Sequence, residues 1–113
     1  MANNITIDFH HSEAKRIAYF LNSIEDTLQE VPLDWSHWKM PEAIVAGWCY
    51  TSTNAQHPLT VTVLLCTSYQ AAQQMTSLNS HIRWGQNGNI TFFAESDDQR
   101  KADTVMGLFA GEE

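Results

Sequence analysis

Positive charge is scarce in this sequence: 6 Lys and Arg stand against 13 Asp and Glu, a formal net charge of −7 at pH 7. Such a field repels phosphate backbones and anionic lipid, so nucleic acid and membrane surfaces are not expected partners. Long hydrophobic runs are absent as well. No window approaches the roughly 18 apolar residues of a membrane span, and Met1-Ala2-Asn3-Asn4 lacks the basic-then-apolar start of a secretory signal. The expected location is the cytoplasm, with export after removal of an unseen signal as the alternative. With 5 glycines, 3 prolines and no low-complexity tract, nothing marks a flexible linker. The 2 cysteines, Cys49 and Cys66, fit neither a zinc pattern nor CxxC. No G-x-S-x-G elbow, P-loop or dinucleotide fingerprint occurs, and no cofactor is expected.

What remains is a chain of 113 residues, 43% apolar, which suits one hydrophobic core and one domain over residues 1–113. Ile5, Ile7 and Phe9 alternate with Thr6 and Asp8, the period of a short half-buried edge strand. From Ser12 the period changes, and Ile17, Phe20, Leu21, Ile24 and Leu28 draw one stripe on a helix that Pro32 should stop. Leu33 to Glu42 is bracketed by prolines and follows neither period, so it reads as an aromatic-rich connection.

Ala43 to Thr53 and Leu59 to Thr67 are β-branched and aromatic runs on either side of a turn-forming stretch, as in a hairpin. Ser68 can cap a short helix from Tyr69 to Leu78. A second hairpin is expected from His81–Trp84 and Asn89–Glu95 around Gly85-Gln86-Asn87-Gly88. Ser96 to Gln99 has the S-x-x-Q form of a capping box, ahead of a last helix carrying Ala102, Val105, Met106 and Phe109. The fold class is therefore α+β, an antiparallel sheet of four or five strands with helices packed on one face, in the order (β)αββαββα. A ferredoxin-like βαββαβ subset is the alternative, with the His81 strand as an addition.

Register assigns faces, because a slip of one residue turns every side chain over. Pairing Tyr50 with Val63 and Trp48 with Leu65 gathers Ile44, Trp48, Tyr50, Val61, Val63 and Leu65 on a core side. The other side then carries Val45, Cys49, Thr51, Thr60, Thr62, Leu64 and Cys66, a mixed surface continued by His81, Arg83, Thr91, Phe93 and Glu95. Cys49 and Cys66 become diagonal neighbours with Cβ atoms roughly 7 Å apart, against about 3.8 Å for a disulfide, so both are expected as free thiols.

Three constellations bear on function. His10, His11 and Glu13 resemble metal ligands in type, but adjacent histidines diverge and H-H-x-E is no supported metal motif, so no metal site is expected. Trp35, His37 and Trp38 are large polar-tipped groups in a loop, either a ligand site or a lid folded over the core. His81, Arg83 and Phe93 lie on the expected open face. From these residues the leading reading is a non-enzymatic binding or protein-interaction module that self-associates, or takes a protein partner, through the open sheet face. A small-ligand carrier using the Trp loop is one alternative. A small enzyme pairing Cys49 or Cys66 with His81 is the other.

Overall fold

The computed structural model of the chain describes residues 3, 5–7, 13–36, 38–52 and 56–110. Three helices, α1 (Ala14–Asn22), α2 (Tyr69–Leu78) and α3 (Gln99–Ala110), accompany five strands: β1 (Leu28–Val31), β2 (Ile44–Ser52), β3 (Leu59–Cys66), β4 (Gly85–Asn87) and β5 (Ile90–Ser96). The strands form one sheet in the order β1-β2-β3-β5-β4, with every pairing antiparallel. The α+β class and an antiparallel sheet of four or five strands are as expected from the sequence, with Leu28–Val31 as a strand the sequence does not mark.

The first helix is shorter than its apolar stripe. Ile17, Phe20 and Leu21 line α1, which ends at Asn22, and Leu28 opens β1 instead of closing a last helical turn. Two asparagines account for the stop. Asn22 donates from Nδ2 to the Ile5 carbonyl at 2.9 Å, and its Oδ1 accepts from the Ile5 N–H at 2.7 Å. Asn3 Nδ2 donates to the carbonyls of Ile24 at 3.0 Å and Asp26 at 2.7 Å, while its Oδ1 accepts from the Leu28 N–H at 2.9 Å. Backbone groups that a longer helix would have paired internally are satisfied this way. Leu28 still packs against the same core, from a strand. Residues 5–7 run outside the sheet, so the strand expected from Ile5 does not form there and the βαββαβ subset goes with it; Asp8 and Phe9 lie outside the described residues.

In the first hairpin Tyr50 lies opposite Val61 and Trp48 opposite Val63, two residues from the expected register. An even offset keeps every side chain on its face. A bulge between Ile44 and Ala46 is the exception and sends Ile44 to the other side. In the second hairpin the strand is Gly85–Asn87 rather than His81–Trp84, and the turn is the two residues Gly88 and Asn89. Gly88 has φ 67°, the left-handed conformation that a tight hairpin turn demands of a central residue. Gly85 is needed for a different reason: a Cβ there would stand 2.5 Å from the Phe92 ring, which is buried and stacked on Phe109.

Both faces of the sheet are covered. α1 and α3 pack on one, where Ile17, Phe20, Val105 and Phe109 meet Val61, Val63, Leu65, Ile90 and Phe92. On the other, Ala72 and Met75 of α2 meet Leu64 and Cys66, with Leu33, Trp35, Trp38 and Trp84 packed around them. The arrangement of helices on a single face thus holds for α1 and α3, while α2 takes the second face. Ser68 caps α2 as expected, its Oγ accepting from the Ala71 N–H at 3.0 Å. At α3 the cap is Asp98 instead of Ser96. Asp98 Oδ1 accepts from the Arg100 N–H at 3.1 Å, and Ser96 Oγ accepts from the Asp98 N–H at 3.2 Å.

The glycines give a paired test. Gly107 lies inside α3 with nothing within 4 Å of an added Cβ, so Gly107→Ala should raise stability by about 0.5–1 kcal/mol. Gly85→Ala should lower it by roughly 1–3 kcal/mol through overpacking against Phe92. Thermal unfolding of both variants beside the parent checks the signs.

Candidate functional site

Residues 32–36 and 38–40 have no regular structure of their own, yet Leu33, Trp35, Trp38 and Met40 among them pack over the sheet. What holds them is Asn79, a 1% exposed residue just past α2. Its Oδ1 accepts from the Lys39 N–H at 2.9 Å and its Nδ2 donates to the Lys39 carbonyl at 2.9 Å and the Met75 carbonyl at 2.8 Å. The Asn79 carbonyl in turn accepts from Trp84 Nε1 and from the Ile82 N–H, both at 3.1 Å. One residue therefore ties together the end of α2, the aromatic connection and the stretch before β4. Burial without this full set of partners would be costly.

Three rings are fixed as a consequence. Trp38 meets Trp84 edge to face at 5.4 Å and 85°, Trp84 meets Phe93 at 4.9 Å and 89°, and Trp38 meets Phe93 at 6.2 Å and 70°. These are favourable aromatic geometries, and they leave one side of the cluster facing out. A cleft of about 430 Å³ opens there. Trp38 and Phe93 contribute to its walls, His81, Ile82 and Arg83 form one rim, and Ala94 and Glu95 continue the strand side. His81, Arg83 and Glu95 are exposed. Arg83 is also committed sideways, its Nη1 lying 3.1 Å from Asp103 Oδ1 of α3.

Of the residues singled out in the sequence, Trp38, His81, Arg83 and Phe93 thus share one cleft. Trp35 does not join them. It packs with the α2 cluster over Gly47, where an added Cβ would lie 3.1 Å from its ring. His37, like His10 and His11, lies outside the described residues. Asn79 and Trp84 carry no functional expectation in the sequence, and Glu95 figures there only as one residue of the mixed face. An asparagine at the C-cap of α2, five residues ahead of Trp84, is the signal the sequence offers for Asn79.

The open sheet face expected from register is largely closed. Leu64 is 0% exposed, Cys66 1% and Phe93 8%, because α2 and the 33–40 segment lie over them; Val45 remains 43% exposed. Both cysteines are free and buried. Burial pushes the Cys66 thiol up from its ordinary 9.0, while the Thr91 hydroxyl beside it pulls the other way. Among the described residues no group of three or more His, Cys, Asp or Glu is placed to hold a metal, and no helix is long and apolar enough to cross a membrane. No known protein family matches the chain, and neither a curated protein nor a solved structure matches it.

Two outcomes follow from this geometry. Asn79→Ala should cost about 3 kcal/mol by orphaning both backbone groups of Lys39. Asn79→Asp should cost at least as much, since a carboxylate accepts from Lys39 but cannot donate to the two carbonyls. Near-ultraviolet circular dichroism of the tryptophans and chemical unfolding read both. For Cys66, the unfolded chain ionises first as pH rises, so the thiol's contribution to stability is whole below 9.0 and is lost above it. Stability should therefore fall as pH passes that value, less steeply in Cys66→Ala, and native Cys66 should resist iodoacetamide at neutral pH.

Proposed function

We propose that the chain is a non-enzymatic binding module whose recognition site is the cleft between residues 81–83 and the end of β5. The observation that carries this reading is convergence. Trp38, His81, Arg83, Phe93 and Glu95 come from three separate segments, and they surround one opening with a rigid aromatic wall and exposed polar rims. Concave sites with apolar walls and a few placed polar groups are the usual form of ligand sites. Such a cleft takes a small molecule or a single projecting side chain of a protein partner.

Catalysis by a Cys–His pair draws less support. A nucleophilic thiol needs access and a lowered pKa, whereas Cys66 is buried and shifted upward. Self-association through the sheet face also loses its apolar drive, since Leu64 and Phe93 lie beneath other groups of the same chain. The large exposed apolar residues, Tyr19, Val45, Tyr69, Leu78 and Leu108, are dispersed over α1, β2, α2 and α3. Scattered single residues of this kind are normal on a monomer.

A fragment screen followed by amide and indole chemical shifts tests the reading. Perturbations should concentrate at Trp38, residues 81–83 and residues 93–95, and sedimentation velocity should give a monomer throughout the micromolar range. Perturbations that never involve these residues, or a concentration-dependent dimer that buries them, would overturn it.

A further inference from the structure

We infer that the cleft beside Trp38 and Phe93 recognises an alkylammonium group, with Glu95 as its counter-charge. The inference rests on that cleft being the recognition site and goes on to name its ligand chemistry. Of the two full charges on the rim, Arg83 is already paired with Asp103 at 3.1 Å, while Glu95 has no ion pair among the described residues. The uncommitted charge facing the opening is therefore negative. The aromatic wall is consistent with the same sign, because ring faces attract cations, and more strongly where water is partly excluded.

The register of the sheet extends the argument. Glu95 lies opposite Thr60, Thr60 opposite Thr51, and Thr51 opposite Gln29, so one row crosses four strands on the face that carries Phe93. That row contains hydroxyls, an amide and one carboxylate, and no base. The protein as a whole, at −7, adds an attractive background for a cation. A carboxylate ligand would meet Glu95 as a like charge, facing only the His81 imidazole and an arginine already shared with Asp103. An alkylammonium meets one free carboxylate and an aromatic wall to which Trp38 and Phe93 both contribute.

Choline and its neutral isostere 3,3-dimethylbutan-1-ol separate charge from shape. Titrated against the full chain and followed by the Trp38 indole resonance, choline should bind and the alcohol should bind far more weakly. Glu95→Gln should weaken choline by about three- to fivefold, the scale of one exposed ion pair, and Arg83→Gln should strengthen it. Both sites are exposed, so both variants should fold as the parent does. A short peptide bearing trimethyllysine forms a second arm. Tighter binding of the peptide assigns the ammonium to a protein partner, and tighter binding of choline assigns it to a free metabolite.

Equal binding of choline and the alcohol, or a Glu95→Gln variant with unchanged affinity, would overturn the cation inference while leaving the cleft as a binding site. Failure of every fragment, charged or neutral, to perturb the cleft would remove the site itself.

Discussion

The structure depends on β3 being buried on both of its faces. Leu59 to Cys66 contains no charged residue, and seven of its eight positions are buried. A central strand of that kind cannot leave either face to water. Each large side chain covered is worth roughly 1.5–3 kcal/mol, and each left open forfeits it. α1 and α3 supply the cover for Val61, Val63 and Leu65. The opposite set, Leu64 and Cys66, calls for a second layer, and α2 with the 33–40 segment provides it. Near-continuous burial usually marks parallel sheets flanked by helices, and here an antiparallel sheet reaches the same condition with one helix and an aromatic loop.

An irregular segment used as cover has a cost that a helix does not. Its backbone groups have no ladder, and next to a core they must still be paired. Asparagine side chains meet that demand repeatedly. Asn79 pairs with both polar groups of Lys39, Asn22 with both of Ile5, Asn3 with the turn after α1, and Asn89 Nδ2 with the Cys66 carbonyl at 3.1 Å. An amide side chain offers a donor and an acceptor in nearly the geometry of a peptide group, so it can stand in for a missing strand or helical turn. Trp38 owes its place to this device. Without the Lys39 pairing the ring would have no fixed approach to Trp84 and Phe93, and the cleft beside it would have no wall.

Much of the fold was legible because it followed simple periods. The bounds of α2, the hairpin of β2 and β3, a second turn at the glycine-flanked stretch 85–88 and, Ile44 apart, the sorting of the β2 and β3 side chains by face rest on local rules of spacing or turn chemistry. What escaped was non-local. Leu28 stands where a helical stripe would put it, yet it belongs to a strand because Asn3, far off in sequence, takes up the backbone groups after the helix end. His81 to Trp84 had strand-like residues, but Gly85 is the position that tolerates Phe92 at close range, so pairing began later. Four cleft residues were found because aromatics and charges beside a sheet are local features. The identity of the cover over Leu64 was not, since no periodicity says which distant segment lies on which face.

The composition of the outer face explains why a cleft opens at one end of it. Reading β3 backwards, Leu64, Thr62 and Thr60 point to that face in turn, and their exposure rises from 0% to 2% to half-buried. Leu64 lies in the α2 cluster; Phe93, the partner of Thr62 across β5, lies under Trp38; and Thr60 faces Glu95 and Thr51, with its Oγ1 3.4 Å from that of Thr51. Apolar side chains require cover and threonines tolerate its absence. α2, at 10 residues, is only about 15 Å long, and the sheet becomes polar as that cover runs out. Phe93 sits at the boundary, shielded by two indoles but adjacent to a carboxylate in the open row. A binding site at that boundary needs no distortion of the fold, because the gradient from leucine to threonine to glutamate already places an apolar wall beside a free charge.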